Sequence, residues 1–570
     1  MAEFDFYGNI IESDVVDIAS IREKYPTYND DQLLTEAITL AQSSGGGTKI
    51  LWDGSDIHFS GQVEHELKGF GGIDFNGAKI YLPDYDNGTI LRIVPETSED
   101  IEVQASDIYA TCVTDNRLKN RVFTLNTTLE GNAEMCLGDR PGQNQTIYCS
   151  PCLMTMPDGN YTTDGLYLTP TTGTVTAYNV HYQPKNQFEI CNGFIFSSTS
   201  NKMSVFIYCT RSTTHIHGFK LLNRSAITEY RRGVIIITNC YGVEVDHIIG
   251  VNPAPANAGD ACAYAIGLFS VTRAYIHDID VGDTDSWGII GARHYTDVTF
   301  ERCFMKRWDC HFAQYGYNYV KDCTIRSLLY GKGFGKIVVD GCTFIQYKDD
   351  EAIGLRSDSR GVFDGDIIVR DSVFKYIDGI VPSGTKTLWH DAHYGARAQN
   401  DVADRTPHAT RILDNCIVQA GHKSIFKIGT AQSADMHEYN NLTYIVKNMV
   451  PTCASIIFES MDSTGIQSTK KVKLDNCEIQ SDVYVCDTLQ DCDIVVDDCD
   501  FGANAIKLKK NNRNVKVSNT KMASVAAEQA SNNLTMTGCT ISGTQSVSNF
   551  TAYALSGNIA SDMASVNKHS

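Results

Sequence analysis

The chain has 570 residues, and 48 Lys and Arg against 68 Asp and Glu give a formal net charge of −20. A hydrophobic share of 42 % with 20 % charged residues excludes disorder as the default, and the acidic balance excludes a general nucleic-acid binder, which needs a basic face. No apolar run approaches the roughly 18 residues that span a bilayer, and the opening Met1-Ala-Glu-Phe-Asp-Phe lacks the basic and apolar regions of an export signal, so neither nucleic acid nor membrane is an expected partner.

In chain order, residues 1–27 read as an attachment segment. From Asn29 to Gln42 apolar residues fall at helical spacing, with Asn29 or Asp30 as N-cap, and the run stops at Ser43-Ser-Gly-Gly-Gly. A helix there suits a cap over the open apolar end of a stacked fold. Thr48–Trp52 and Phe75–Leu82 read as first coils, so cap and first coils fill 28–100. Residues 101–185 are rich in Thr, Asn, Gly and Tyr with short alternating runs, and read as a β-rich insertion.

From 186 to 545 one phrase recurs: a short alternating strand, a polar turn, a small residue, a second apolar pair. It is clearest at Val298-Thr-Phe-Glu-Arg-Cys303, Tyr319-Val-Lys-Asp-Cys323, Ile337-Val-Val-Asp-Gly-Cys342, Ile412-Leu-Asp-Asn-Cys416 and Val472-Lys-Leu-Asp-Asn-Cys477. Ser372, Thr520, Cys499 and Cys539 continue it, and weaker copies fall at Phe219, Ile248, Ile279 and Met449. Steps between register positions run from 19 to 44 residues; a floor near 20 with longer loops predicts an all-β parallel solenoid. The 19 cysteines then become a buried ladder of small side chains, not a disulfide framework. Cys149-Ser-Pro-Cys152 reads as two unrelated buried thiols. Residues 546–570 read as a cap or tail.

The opening helix, glycine run and Asp74-Phe-Asn-Gly-Ala-Lys-Ile resemble the start of pectate-lyase-like right-handed β-helices, a start used by phage tailspikes. Trp287-Gly-Ile-Ile-Gly, Arg307-Trp-Asp-Cys-His311 and Leu355-Arg-Ser-Asp358 resemble phrases of the preneck appendage and tail proteins of phages that infect Gram-positive bacteria. The resemblance covers about residues 28 to 500. Where that family reads Arg-Phe-Asp-Ala-His this chain has Arg307-Trp-Asp-Cys-His, and Ser359-Arg-Gly-Val-Phe departs further. The resemblance implies a right-handed parallel β-helix with a short capping helix, homotrimeric assembly, a place on the virion beside other tail or neck proteins, and synthesis in the host cytoplasm. It also implies binding or depolymerisation of a host surface glycan or teichoic acid.

Loops that leave equivalent register positions stack along one edge. Six to nine residues after Ile279, Cys303 and Cys342 fall Asp285 and Trp287, Asp309 and His311, and Asp349, Asp350 and Glu351; Tyr330 and Lys332 follow Cys323. Glycoside hydrolysis needs two carboxyl groups, one as acid and one as base or nucleophile. Asp285 and Asp309, one rung apart, would be about 5 Å apart, near retaining geometry; Asp309 with Asp349 or Asp350, two rungs apart, would be about 10 Å apart, nearer inverting geometry, and is favoured. His311 orients Asp309 or acts as an acid. Arg307, Arg356 and Asp358 suit contacts to a charged polymer, and Trp287, Trp308 and Trp389 offer sugar platforms.

A non-catalytic adhesin and a lyase using Lys332 and Tyr330 are the alternatives. Asp and Asn also serve solenoid turns by satisfying backbone, the structural account of the same residues. Trp389-His390-Asp391-Ala-His393 has no third histidine at motif spacing, and no H-E-x-x-H phrase exists, so it reads as an exposed sugar-contacting loop, with no metal or other cofactor expected. His215 and His217 alternate, so they share a face as surface or inter-subunit residues, and Glu229-Tyr-Arg-Arg232 reads as a charged rim.

Overall fold

The computed structural model describes residues 3–4, 10–11, 15–83, 88–127, 148–163, 166, 173–196, 205–222, 234–251, 264–281, 289–310, 314–331, 333–346, 351–355, 363–393, 409–430, 442–450, 454–460, 471–481, 483–487, 492–509, 512–529, 531–543, 545 and 549–560. They form two compact units, one up to Cys310 and one from Gln314 onward. Both contain coils of a parallel β-helix. No described helix is long and apolar enough to cross a membrane.

The first unit opens with two helices. Asp17 caps Ile18–Lys24 by accepting from the Ala19 N–H, and Asn29 caps Asp30–Ser44 in a reciprocal box with Gln32. Leu33, Leu34, Ala37 and Ala41 are fully buried, as expected of a cap over apolar coils. Val15–Asp17 already pairs in parallel with Lys49–Leu51, so a strand joins the ladder ahead of the cap helix. One ladder then runs Lys49–Leu51, Gly72–Tyr81, Phe188–Phe196, Thr214–Leu222, Glu244–Asp246, Tyr275–His277, Thr299–Glu301. Stacking passes directly from Gly72–Tyr81 to Phe188–Phe196. Between them, strands Glu99–Gln104, Val122–Thr127, Tyr148–Met154 and Thr174–His181 make a separate four-stranded antiparallel sheet.

In the second unit a ladder runs from Tyr317–Lys321 through Gly333–Asp340, Phe363–Arg370, Thr410–Asp414, Thr443–Lys447, Lys471–Asp475, Asp493–Asp497, Asn514–Ser518 and Ser531–Thr537 to Phe550–Ser556. Phe550–Ser556 is the last rung of this ladder among the described residues. Alternation sends Val472, Ile494 and Val515 inward in register, with Leu474, Val496 and Val517 beside them. Each such side chain stabilises the stack by about 1.5 to 3 kcal/mol.

The repeated phrase marks a corner. The residue before each register position takes a left-handed backbone: Arg302, Asp322, Asp371, Asn415, Asn448, Asn476, Asp498 and Asn519 all have φ between 47° and 55°. Asn and Asp tolerate this region better than other non-glycine residues. Their amides also link coil to coil: Asn415 Nδ2 donates to Asp371 Oδ1 at 2.6 Å, Asn448 Nδ2 to Asp414 Oδ1 at 2.6 Å, and Asn476 Nδ2 to Asn448 Oδ1 at 2.8 Å. Just inside, the Cys477 thiol donates to the carbonyls of Val446 (3.5 Å) and Asp475 (3.2 Å), and the Cys416 thiol to those of Val369 (3.6 Å) and Asp414 (3.3 Å). Small size plus one weak donor is what the corner requires, and the Ser372 and Thr520 hydroxyls meet it by donating to Arg370 and Ser518 carbonyls, each at 2.7 Å.

Candidate functional site

Among the expected edge residues, Arg307, Trp308 and Asp309 share strand Phe304–Cys310, which pairs with Ile289–Arg293. Trp308 turns inward, fully buried, its ring centroid 5.5 Å from Phe300 and 6.1 Å from Tyr295. It is a core residue, which corrects its expected role as a sugar platform. Alternation directs Arg307 and Asp309 to the other side. Asp309 is nevertheless fully buried and accepts from Arg307 Nη2 at 3.0 Å, while the buried Arg307 Nε has no hydrogen-bond partner among the described residues. Such an orphaned donor costs stability unless a ligand or solvent meets it.

Trp389, His390 and Asp391 fall on strand Thr387–His393, with Trp389 and Asp391 fully buried and His390 only 8 % exposed. The exposed loop expected there is corrected. Asp391 lies in the core of the second unit: Oδ1 accepts from the Tyr330 hydroxyl at 2.6 Å, and Oδ2 from Arg411 Nε at 2.9 Å and the Tyr444 hydroxyl at 3.0 Å. Trp389 Nε1 donates to Tyr330 Oη at 3.1 Å, and Arg411 spends Nη1 and Nη2 on the carbonyls of Gly365 and Phe363. Burial, then the Asp391 charge, push the Tyr330 hydroxyl up, so it stays a donor inside this network, not a substrate contact or a lyase base. Glu351, half-buried, precedes strand Ile353–Leu355; burial pushes His390 down against the opposing pull of the Glu351 charge.

Asp285, Trp287, His311, Lys332, Asp349, Asp350, Arg356, Asp358 and the run from Glu229 to Arg232 lie outside the described residues.

The first unit holds a cluster the motif search did not assemble. Register aligns Glu189, His215, Glu244 and Tyr275 in one outward column and Cys191, His217, Asp246 and His277 in the next. Imidazoles and carboxylates alternate diagonally. His217 Nε2 is 2.7 Å from Glu189 Oε1, His277 Nε2 is 3.1 Å from Glu244 Oε1 and 3.6 Å from Asp246 Oδ2, and His215 Nε2 bonds the same Asp246 oxygen. Lys49 Nζ closes one end on Glu189 at 2.6 Å, and the His217 bond followed by Lys49 pulls Glu189 down to about 2. At the other end His277 Nδ1 is 2.7 Å from Asp278, whose carboxylate Arg302 grips with two bonds of 2.8 Å. Among the described residues, three overlapping trios, Glu189–Cys191–His217, His215–His217–Asp246 and Glu244–Asp246–His277, bring possible metal-ligand atoms within 4.8 Å of one another. The signal was in the sequence: Thr-His-Ile-His, Glu-Val-Asp and Tyr-Ile-His occupy equivalent places in successive repeats.

No protein-family model and no curated protein sequence matches the chain. Among solved structures it is similar to the tailspike of Acinetobacter baumannii bacteriophage AP22, a complex with capsular saccharide, at 11 % identity over 97 % of this chain and 82 % of that one, with a TM-score of 0.49. It is also similar to a tailspike of Pseudomonas phage phi297, at 10 % identity over 84 % of this chain and 82 % of that one (TM-score 0.38). A third likeness is to the tailspike of E. coli bacteriophage HK620 in complex with a pentasaccharide, at 10 % identity over 97 % and 77 % (TM-score 0.29). The coil-by-coil register described above, not these likenesses, establishes the parallel β-helix.

Proposed function

We propose that this chain is a phage tail appendage, a homotrimer on the virion, that binds and hydrolyses a host surface polymer, either a surface polysaccharide or a teichoic acid. The observation that carries the reading is the Arg307–Asp309 pair. On the side of the strand opposite Trp308, a fully buried carboxylate is held at 3.0 Å by a guanidinium with one buried N–H unpartnered among the described residues. A carboxylate bonded to a guanidinium suits the ionised member of a hydrolytic pair, the base or nucleophile, while the spare donor suits an anionic or hydroxyl group of the substrate. The likeness of Arg307-Trp-Asp-Cys-His311 to appendage proteins of the same fold class supports this assignment. With a net charge of −20 the protein gains nothing from its overall field on an anionic polymer, so recognition depends on such local donors.

The test is release of soluble fragments from a panel of purified bacterial walls and capsules, followed by mass analysis. Wild type is expected to release fragments from at least one polymer, and Asp309→Asn to release them at least about 100-fold more slowly while still pelleting with it. Unchanged release by the variant would remove Asp309 from the chemistry. Wild type that pelleted with a polymer but released nothing would make the protein an adhesin. The same assay with Asp285→Asn, Asp349→Asn, Asp350→Asn and Glu351→Gln identifies the second carboxyl.

A further inference from the structure

The outward His and carboxylate columns of the first unit carry a second site. Four observations bear on it. The donors come from three neighbouring coils whose backbones are locked in register, so their spacing is set by the ladder and not by loops. Three of them are sheltered, the side chains of His215, Asp246 and His277 being 20 %, 7 % and 12 % exposed, while Glu244 is 37 % exposed at the rim. At the end of the columns, Glu189 is already engaged by Lys49 and His217, which leaves His215, Glu244, Asp246 and His277 as one set, with His247 Nδ1 on the second Asp246 oxygen.

The fourth observation is how His277 is held. Asp278 is fixed by two bonds of 2.8 Å from Arg302, and its Oδ2 lies 2.7 Å from His277 Nδ1. The ring is thereby oriented with Nε2 towards Glu244 and Asp246, at 3.1 and 3.6 Å. Carboxylates placed behind metal-bound imidazoles orient them in this way.

We propose that this face binds one divalent first-row transition-metal ion, of the zinc or nickel class, through Asp246 and Glu244 with His215 and His277 on the coils to either side. Mixed imidazole and carboxylate donors select such ions over calcium and magnesium, which favour oxygen ligands alone. Ions of this size bond imidazole nitrogen at about 2.0 to 2.1 Å, so the metal takes the place of the direct His215–Asp246 bond. Holding three successive coils through one ion ties the ladder where its strands shorten to three residues, at Glu244–Asp246 and Tyr275–His277.

The experiment uses the untagged full chain, stripped with chelator, dialysed against zinc and analysed for bound metal, then titrated with cobalt(II) and followed by visible absorption. About one equivalent of zinc per chain is expected. Asp246→Asn and His277→Gln should each weaken cobalt binding at least about ten-fold, and a His58→Gln control, at an exposed histidine outside the cluster, should leave it unchanged. Wild type that retains less than a tenth of an equivalent overturns the site and leaves an ion-pair ladder; so do Asp246→Asn and His277→Gln variants that bind as wild type does. Where those variants do not fold, Asp278→Asn decides, since its side chain is partly exposed and Asn suits its left-handed backbone: weakened binding supports the site and unchanged binding overturns it.

Discussion

Asp391 is a fully buried carboxylate, and its neighbours explain how the core tolerates that. Two hydroxyls and one guanidinium donate to it, and the guanidinium places each of its three nitrogens on Asp391 or a backbone carbonyl. A buried pair of this kind owes much of its desolvation cost back to its own geometry, so removing one partner strands the other. Asp391→Ala is therefore expected to cost about 3 to 5 kcal/mol of stability, and the double variant Asp391→Leu with Arg411→Met to recover most of it. Urea unfolding of the three proteins checks this, and equal losses in single and double variants would show that the charge pair is not the issue. The network also explains a failure of sequence reading. Trp389-His390-Asp391-Ala-His393 carries polar residues at positions that alternation would put in the core, and a reader who expects apolar interiors assigns such a run to an exposed loop. The opposite holds for the histidine columns: His215, His217, Asp246 and His277 were each visible, but only comparing outward positions down successive repeats assembles them. Asp285, Asp349 and Asp350 follow from the same offset arithmetic, and the fragment-release assay decides among them.

At the scale of the element, the corner is the unit that repeats and the reason the fold was legible. A left-handed residue, a small buried side chain with a donor, and an inward aliphatic pair are three constraints that must fall in fixed order, so they leave a phrase in the sequence even where loop lengths vary. Asp-Asn-Cys is that phrase at two of the corners, ending at Cys416 and Cys477, and its chemistry predicts its tolerance. Cys477→Ser keeps the donor to the Val446 and Asp475 carbonyls and matches what Ser372 and Thr520 already do in their coils; a cost below about 1 kcal/mol is expected. Cys477→Leu adds bulk to a position 3 % exposed and removes the donor, for about 1 to 3 kcal/mol. Denaturant midpoints rank the pair, and a leucine variant as stable as the serine one would mean the corner has unfilled space. The cap helix was legible for the same kind of reason, because Asn29, Gln32 and the glycines after Ser44 are local signals that do not depend on the rest of the chain. The early pairing of Val15–Asp17 was not, since three residues carry too little pattern to distinguish a strand from a linker.

At the scale of the whole molecule, the solenoid interrupts itself to carry the antiparallel sheet, and His181 is one place where sheet and coil are joined within the first unit. Its Nδ1–H donates to the Asn179 carbonyl at 2.6 Å, and its Nε2 accepts from the Ser212 hydroxyl at 3.1 Å. Ser212 Oγ in turn accepts from the Tyr241 N–H at 3.0 Å, so one neutral imidazole bonds the sheet to a coil residue that is tied to the next coil. Burial pushes His181 down to about 4, with the nearby Arg211 charge acting in the same direction. In the unfolded chain the ring titrates near its ordinary value of about 6.5. Between these two values the unfolded state binds more protons than the folded one, so stability rises with pH across the window. The contribution is fully present above about pH 6.5 and is lost as pH falls through 4, amounting to about 3 kcal/mol. Thermal unfolding followed from pH 7 to pH 4 should show this decline in wild type and a shallower one in His181→Gln, which cannot be protonated. Parallel profiles for the two proteins would place the acid sensitivity elsewhere in the molecule.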